Sequence, residues 1–82
     1  MNKIYCSCLN VEVRGLEKKT SKKGNVYFVL HCENEDGSAF SLFIANDIDV
    51  SSLKKGDHVD LCCIYTSGKY PKFECLSVVQ YN

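Results

Sequence analysis

Apolar and polar positions alternate with period two along most of this chain, and Gly, Asn, Asp and Ser interrupt the alternation at short intervals. That is the pattern of short strands joined by tight turns. Residues 3–13 read as a first strand, with Tyr5, Leu9, Val11 and Val13 on one face. Ile4, Cys6 and Cys8 make the opposite face apolar over its first half, so the strand can bend and serve both halves of a small barrel. A basic turn follows, in which Gly24 and Asn25 supply the positive φ that a reversal needs. The second strand, 25–33, sets Val26, Phe28, Leu30 and Cys32 against Tyr27, Val29 and His31. Glu35-Asp36-Gly37 is a hairpin signal, and the third strand, 38–45, sets Phe40, Leu42 and Ile44 against Ala39, Ser41 and Phe43. Residues 46–56 break the alternation, and a short helical turn is expected there, capped by Asp47 or Ser51 and ended at Gly56. In the fourth strand, 57–65, Val59, Leu61, Cys63 and Tyr65 point one way and His58, Asp60, Cys62 and Ile64 the other. After a turn at 66–69, Pro71 requires the last strand to begin at an edge or a bulge; that strand runs to about Gln80.

Eighty-two residues bound this to one domain, 1–82, near the lower limit for a single hydrophobic core. An all-β chain of five short strands with one helical turn between the third and fourth fits a five-stranded OB-fold-like Greek-key barrel; a sandwich needs about seven strands. Leu53-x-x-Gly56-Asp57-x-Val59-x-Leu61 resembles the lead-in to the fourth strand of many OB-folds. No run approaches the roughly eighteen apolar residues of a membrane span, and the first residues lack the apolar stretch of a signal peptide. A reducing cytoplasm is the expected setting. The six cysteines agree with it, because they sit inside apolar strand-like runs and show neither a C-x-x-C nor a second pair at zinc-site spacing. They read as free, mostly buried thiols.

Formal net charge is zero, yet the charges are segregated. Between Arg14 and Lys23 five cations (Arg14, Lys18, Lys19, Lys22, Lys23) face one anion, Glu17. Lys54, Lys55, Lys69 and Lys72 add to the basic side, and the acids gather at 33–36 and 47–60. A basic segment running into a strand with an outward tyrosine, Tyr27, is what unpaired nucleic acid requires: lysines for phosphates and a flat ring for a base. The bland reading of the same residues is a solvated loop beside an edge tyrosine. Lys54-Lys55 also suits a solvated helix end. His31 and His58 have no partner at ligand spacing, so neither marks a metal site. No Ser/His/Asp grouping and no Gly-rich phosphate loop is recognisable. No catalysis, cofactor, metal or small-molecule substrate is therefore expected. Phe43 is assigned to a partner interface ahead of base stacking. Tyr5 and Tyr65 go to core or interface, and Tyr81 to a tail.

The stretch Thr20-Ser21-Lys22-Lys23-Gly24-Asn25-Val26-Tyr27, then Ser67-Gly68-Lys69-Tyr70 before a final strand, resembles the helix-destabilising (gene V) single-stranded DNA-binding proteins of filamentous bacteriophages. The likeness covers residues 13–80. It implies a basic arm, matched by Lys22, Lys23 and Tyr27, and a second loop whose aromatic, matched by Tyr70, lies on the dimer-facing side of the groove. The expected function is sequence-tolerant binding of single-stranded DNA, with RNA as a possible second strand type, during phage or mobile-element replication or transfer. The expected contacts are Arg14, Lys18, Lys19, Lys22, Lys23 and Lys69 to phosphates, with Tyr27 and Tyr70 stacking. A homodimer in a bacterial host cytoplasm, without a membrane, completes the expectation. The alternative is an OB module that binds another protein and no nucleic acid.

Overall fold

The structure, a computed structural model, describes residues 2–45 and 48–81. Its five strands are β1 (Lys3–Thr20), β2 (Val26–Glu33), β3 (Ala39–Ile44), β4 (His58–Thr66) and β5 (Lys72–Gln80). They close into a ring in the order β1-β2-β3-β5-β4, with β4 returning to β1. Every seam is antiparallel except β3 with β5, where Phe43 lies beside Glu74 and Ile44 beside Cys75. The sheet is therefore mixed and the fold all-β.

β1 closes the ring because it is long enough to pair twice. Its first half pairs with β4, from Lys3 opposite Thr66 to Glu12 opposite His58, and its second half pairs with β2, from Glu12 opposite Glu33 to Thr20 opposite Val26. The expected end of this strand at residue 13 is thus corrected. Arg14, Lys18 and Lys19 are strand residues, and the reversal is confined to 21–25. Lysines are poor strand formers by propensity, but here the ladder to β2 sets Lys18 opposite Phe28 and Lys19 opposite Tyr27, and cross-strand packing overrides propensity.

The expected facing of β1 is also corrected. Asn10 adopts φ 51°, and the pairing with β4 shifts between Cys8 and Val11. An extra residue in one strand reverses the side-chain parity beyond it. Cys6 and Cys8 therefore share the inner face with Val11 and Val13, whereas Tyr5 (72 % exposed) and Leu9 (67 %) point outward.

The β1–β2 and β2–β3 hairpin turns are wired alike. Gly24 N–H donates to the Ser21 carbonyl (2.9 Å) and Ser21 N–H to that of Asn25 (2.8 Å); Gly37, Asn34 and Ser38 repeat the scheme at 2.9 and 2.8 Å. The glycines take φ 87° and 86°, a conformation that side chains with a Cβ disfavour. Asn25, expected to share that role, is not among the positive-φ residues.

The helical turn expected between the third and fourth strands is absent: the described residues contain no helix. Asp49 accepts hydrogen bonds from the N–H (2.9 Å) and the hydroxyl (2.7 Å) of Ser51, and this local bond competes with helix formation. Isolated turns take its place, closed by Leu53 N–H to Val50 (3.1 Å) and Asp57 N–H to Lys54 (3.0 Å). Asp47, the other expected cap, lies outside the described residues. Val50 is buried, and Ile48 and Leu53 pack beside it against the core. Gly56 N–H donates to the Val13 carbonyl and Val13 N–H to that of Asp57, both at 2.8 Å, fastening this plug to β1.

The core gathers inner-face residues of every strand, with Val11, Leu30, Leu42, Val59, Leu61 and Cys75 among them. Each fully buried aliphatic contributes about 1.5–3 kcal/mol. Cys32, Cys63 and Cys75 are buried, Cys6 and Cys8 half-buried and Cys62 exposed; all six are free thiols. Burial pushes Cys32 up to about 12 and Cys75 up to about 11, and raises Cys63 as well. A thiol so raised stays protonated and packs as a small hydrophobe. The C-terminal Tyr81 is tied down, unlike the expected tail: its hydroxyl donates to Asp60 Oδ1 (2.6 Å), which also accepts the Asn10 N–H (2.8 Å). Those two bonds hold the Asp60 carboxyl below the usual carboxylate range.

Candidate nucleic-acid interface

β3 pairs with β2 only from Val29 to Glu33, and β4 pairs with β1 only as far as Glu12. The remaining ladder, Lys18–Thr20 against Val26–Phe28, is a two-stranded arm. Lysines along such an arm discourage edge-to-edge pairing, and they also give it a field attractive to polyanions. Lys22 and Lys23 occupy its tip and are exposed.

Strand alternation divides the arm's other residues between two sides. Lys19, opposite Tyr27, lies on the outer face, and its ammonium is 3.8 Å from Glu17 Oε2. Lys18 lies opposite Phe28 on the continuation of the inner face. Arg14 is farther from the tip, committed to Glu12 (2.7 Å) and Glu33 (3.6 Å). Of the expected phosphate ligands on this hairpin, Lys19, Lys22 and Lys23 accompany Tyr27, whereas Arg14 and Lys18 do not.

On the outer face of β2 and β3, Tyr27 meets Phe43. Their ring centroids are 5.7 Å apart and their planes tilted by 56°. The register sets Val29, not Tyr27, opposite Phe43, so this contact is a diagonal one, within reach of aromatic side chains. Lys72 Nζ stands 5.9 Å from the Phe43 centroid and 3.4 Å from Glu74 Oε2. Tyr27, Phe43, Ile44, Lys72 and Glu74 line an open depression of about 290 Å³. The loop leading to Lys72 carries Lys69 and Tyr70. Lys69 Nζ is 5.7 Å from the Tyr70 ring centroid, and Tyr70 is 81 % exposed.

Beside the aromatic pair a polar relay crosses three strands. His31 Nε2 is 2.9 Å from Glu17 Oε1 and His31 Nδ1 is 2.7 Å from Ser41 Oγ. The hydrogen bond from His31 holds the Glu17 carboxyl below its usual range, helped by Lys19 and opposed by desolvation. An ionised carboxylate only accepts, so Nε2 carries a proton. A separate depression of about 280 Å³ is lined by Glu12, Glu33, Glu35, Asn10, Asn34 and His58; its three carboxylates repel a phosphate backbone. Among the described residues no group of His, Cys, Asp and Glu is arranged to hold a metal ion.

Sequence reasoning missed Phe43 as a partner of Tyr27, and it gave Lys72 and Glu74 no site role. Their signal was weak: an outward aromatic in the third strand and a Lys-x-Glu after Pro71. No protein-family model matches the chain, and no curated protein or solved structure matches it.

Proposed function

We propose that this chain is an OB-type Greek-key barrel that binds single-stranded nucleic acid, DNA ahead of RNA, with little sequence preference. The strand order and the parallel β3–β5 seam support an OB reading, in which the face of the second and third strands and the loops β1–β2 and β4–β5 carry oligonucleotides. The observation that carries the proposal is the outward Tyr27–Phe43 pair, with Lys19 on its own face, Lys22 and Lys23 on the arm and Lys72 over the Phe43 ring. Rings stack on unpaired bases of any sequence, and cations follow the backbone. No catalytic step is involved. The resemblance to the filamentous-phage proteins belongs to the same reading: coating of strands exposed in replication or transfer, in a bacterial cytoplasm.

Anisotropy titration with labelled oligo-dT tests it. Four lysines engaging phosphates give log K against log salt a slope of about −3 per protomer. Lys22→Ala with Lys23→Ala is expected to flatten that slope by roughly 1 to 1.5 units and weaken binding to all sequences alike. An unbound oligo-dT at moderate salt would overturn the proposal in favour of a protein-binding module.

A homodimer is proposed with it. The outer side of β1, β4 and β5 exposes Tyr5, Leu9, Leu76 and Val79, an apolar set that a second copy would cover. Light scattering at micromolar concentration is expected to give twice the 9.3 kDa chain mass, and a monomer mass rules the dimer out.

A further inference from the structure

We infer that the subsite at Phe43 prefers guanine among the four bases, through Glu74 and Lys72. This rests on the single-strand-binding reading above and adds a base preference at one position of an otherwise tolerant surface. Glu74 is the residue beside Phe43 across the parallel seam. Its side chain is only 26 % exposed, and its carboxylate lies 3.4 Å from the Lys72 ammonium. The depression they share with Tyr27 and Phe43 measures about 290 Å³, at the small end of ligand pockets, and suits a single base.

A carboxylate can only accept hydrogen bonds, and an ammonium can only donate them. Thymine and uracil offer one ring N–H flanked by two carbonyl oxygens, which repel a carboxylate. Cytosine and adenine each offer one amino donor beside an acceptor nitrogen. Guanine alone offers two parallel donors, N1–H and the 2-amino group, which match the two oxygens of a carboxylate in the way a guanidinium fork does. Its O6 sits next to N1 and, with N7, is the acceptor pair that lysine reads. A carboxylate and an ammonium in contact at the margin of an aromatic surface thus complement the guanine edge, with the base stacked on Phe43 and reached in a single strand by its Watson–Crick edge. Thymine pairs worst.

The test uses short thymidine oligonucleotides carrying one central dG, dA, dC or deoxyinosine, titrated against the whole chain at fixed salt. A single dG is expected to tighten binding roughly tenfold over all-dT. Deoxyinosine keeps N1–H, O6 and N7 but lacks the 2-amino group, and is expected to lose most of that gain. Glu74→Gln is expected to bring the dG-over-dT ratio from about ten to about one, and that ratio is the readout whatever the change in all-dT affinity. If Glu74 served only as a neighbouring charge, its replacement would shift every oligonucleotide alike and leave base ranking untouched. Equal binding of dG and dT by the parent chain, or a guanine preference that survives Glu74→Gln, overturns this inference alone. Failure to bind any oligonucleotide overturns both it and the reading it rests on.

Discussion

Replacing Tyr27 and Phe43 together by alanine is expected to remove about 2–4 kcal/mol of single-strand affinity, roughly thirty- to a thousandfold, because stacking is worth about 1–3 kcal/mol per base. Both rings lie on the outer face, and neither belongs to the buried core, so the fold is expected to survive. The salt slope should stay where it was, since no phosphate contact is lost. That outcome is the mirror image of the Lys22→Ala, Lys23→Ala result, where the slope falls. The rings touch one another at 5.7 Å, so the single variants should not sum to the double; contacting residues couple by about 0.5–3 kcal/mol. Parent-like affinity of the double variant, with an intact fold, would leave the aromatic pair without a part in binding.

Period-two alternation made the strands legible because β2, β3 and β4 keep one parity throughout their core-cluster contacts, whereas β1 and β5 each change it once. The expected 25–33 became Val26–Glu33 and the expected last strand ended at Gln80 as found. What alternation cannot express is a change of parity within a strand. Asparagine tolerates the φ of 51° that Asn10 adopts, but inside an alternating run the residue type alone marks no bulge, and Leu9 is therefore grouped with Val11 and Val13, and Cys8 with the opposite face. A second kind of illegibility came from residues whose local preference loses to tertiary pairing. Lys18 and Lys19 read as loop until β2 supplies a ladder for them. The converse occurred at Asp49, whose bond to Ser51 keeps a capping sequence from starting a helix. The candidate site was half legible for the same reason. Lys22, Lys23 and Tyr27 lie close in sequence and share a hairpin. Phe43, Lys72 and Glu74 are brought to Tyr27 only by the registers of two different seams, and registers are set by the whole ring.

Leu30→Ala is expected to have the largest effect on stability. Leu30 is 0 % exposed and stands between Leu16 of β1 and Leu42 of β3 in the ladder. Truncating a buried leucine costs about 2–5 kcal/mol, from lost transfer energy and the cavity left behind. A chain of this length has a total stability of about 4–12 kcal/mol, so the variant keeps a small margin or none. Leu9→Ala provides the contrast, at concentrations low enough for the chain to be monomeric: the same chemistry on an outward side chain should stay within about 0.5 kcal/mol. Urea midpoints would separate the two, with little change in the slope m if both unfold in one step. The buried thiols give a second readout that depends on opening of the core. Alkylation of Cys32, Cys63 and Cys75 proceeds through opened states and should accelerate in Leu30→Ala, each 1.4 kcal/mol giving about a factor of ten. Exposed Cys62 should react at its parent rate in both variants. If Leu9→Ala instead proved the costlier change, β1 would have kept a single parity through Asn10, and a one-residue slip of that kind exchanges its inward and outward faces.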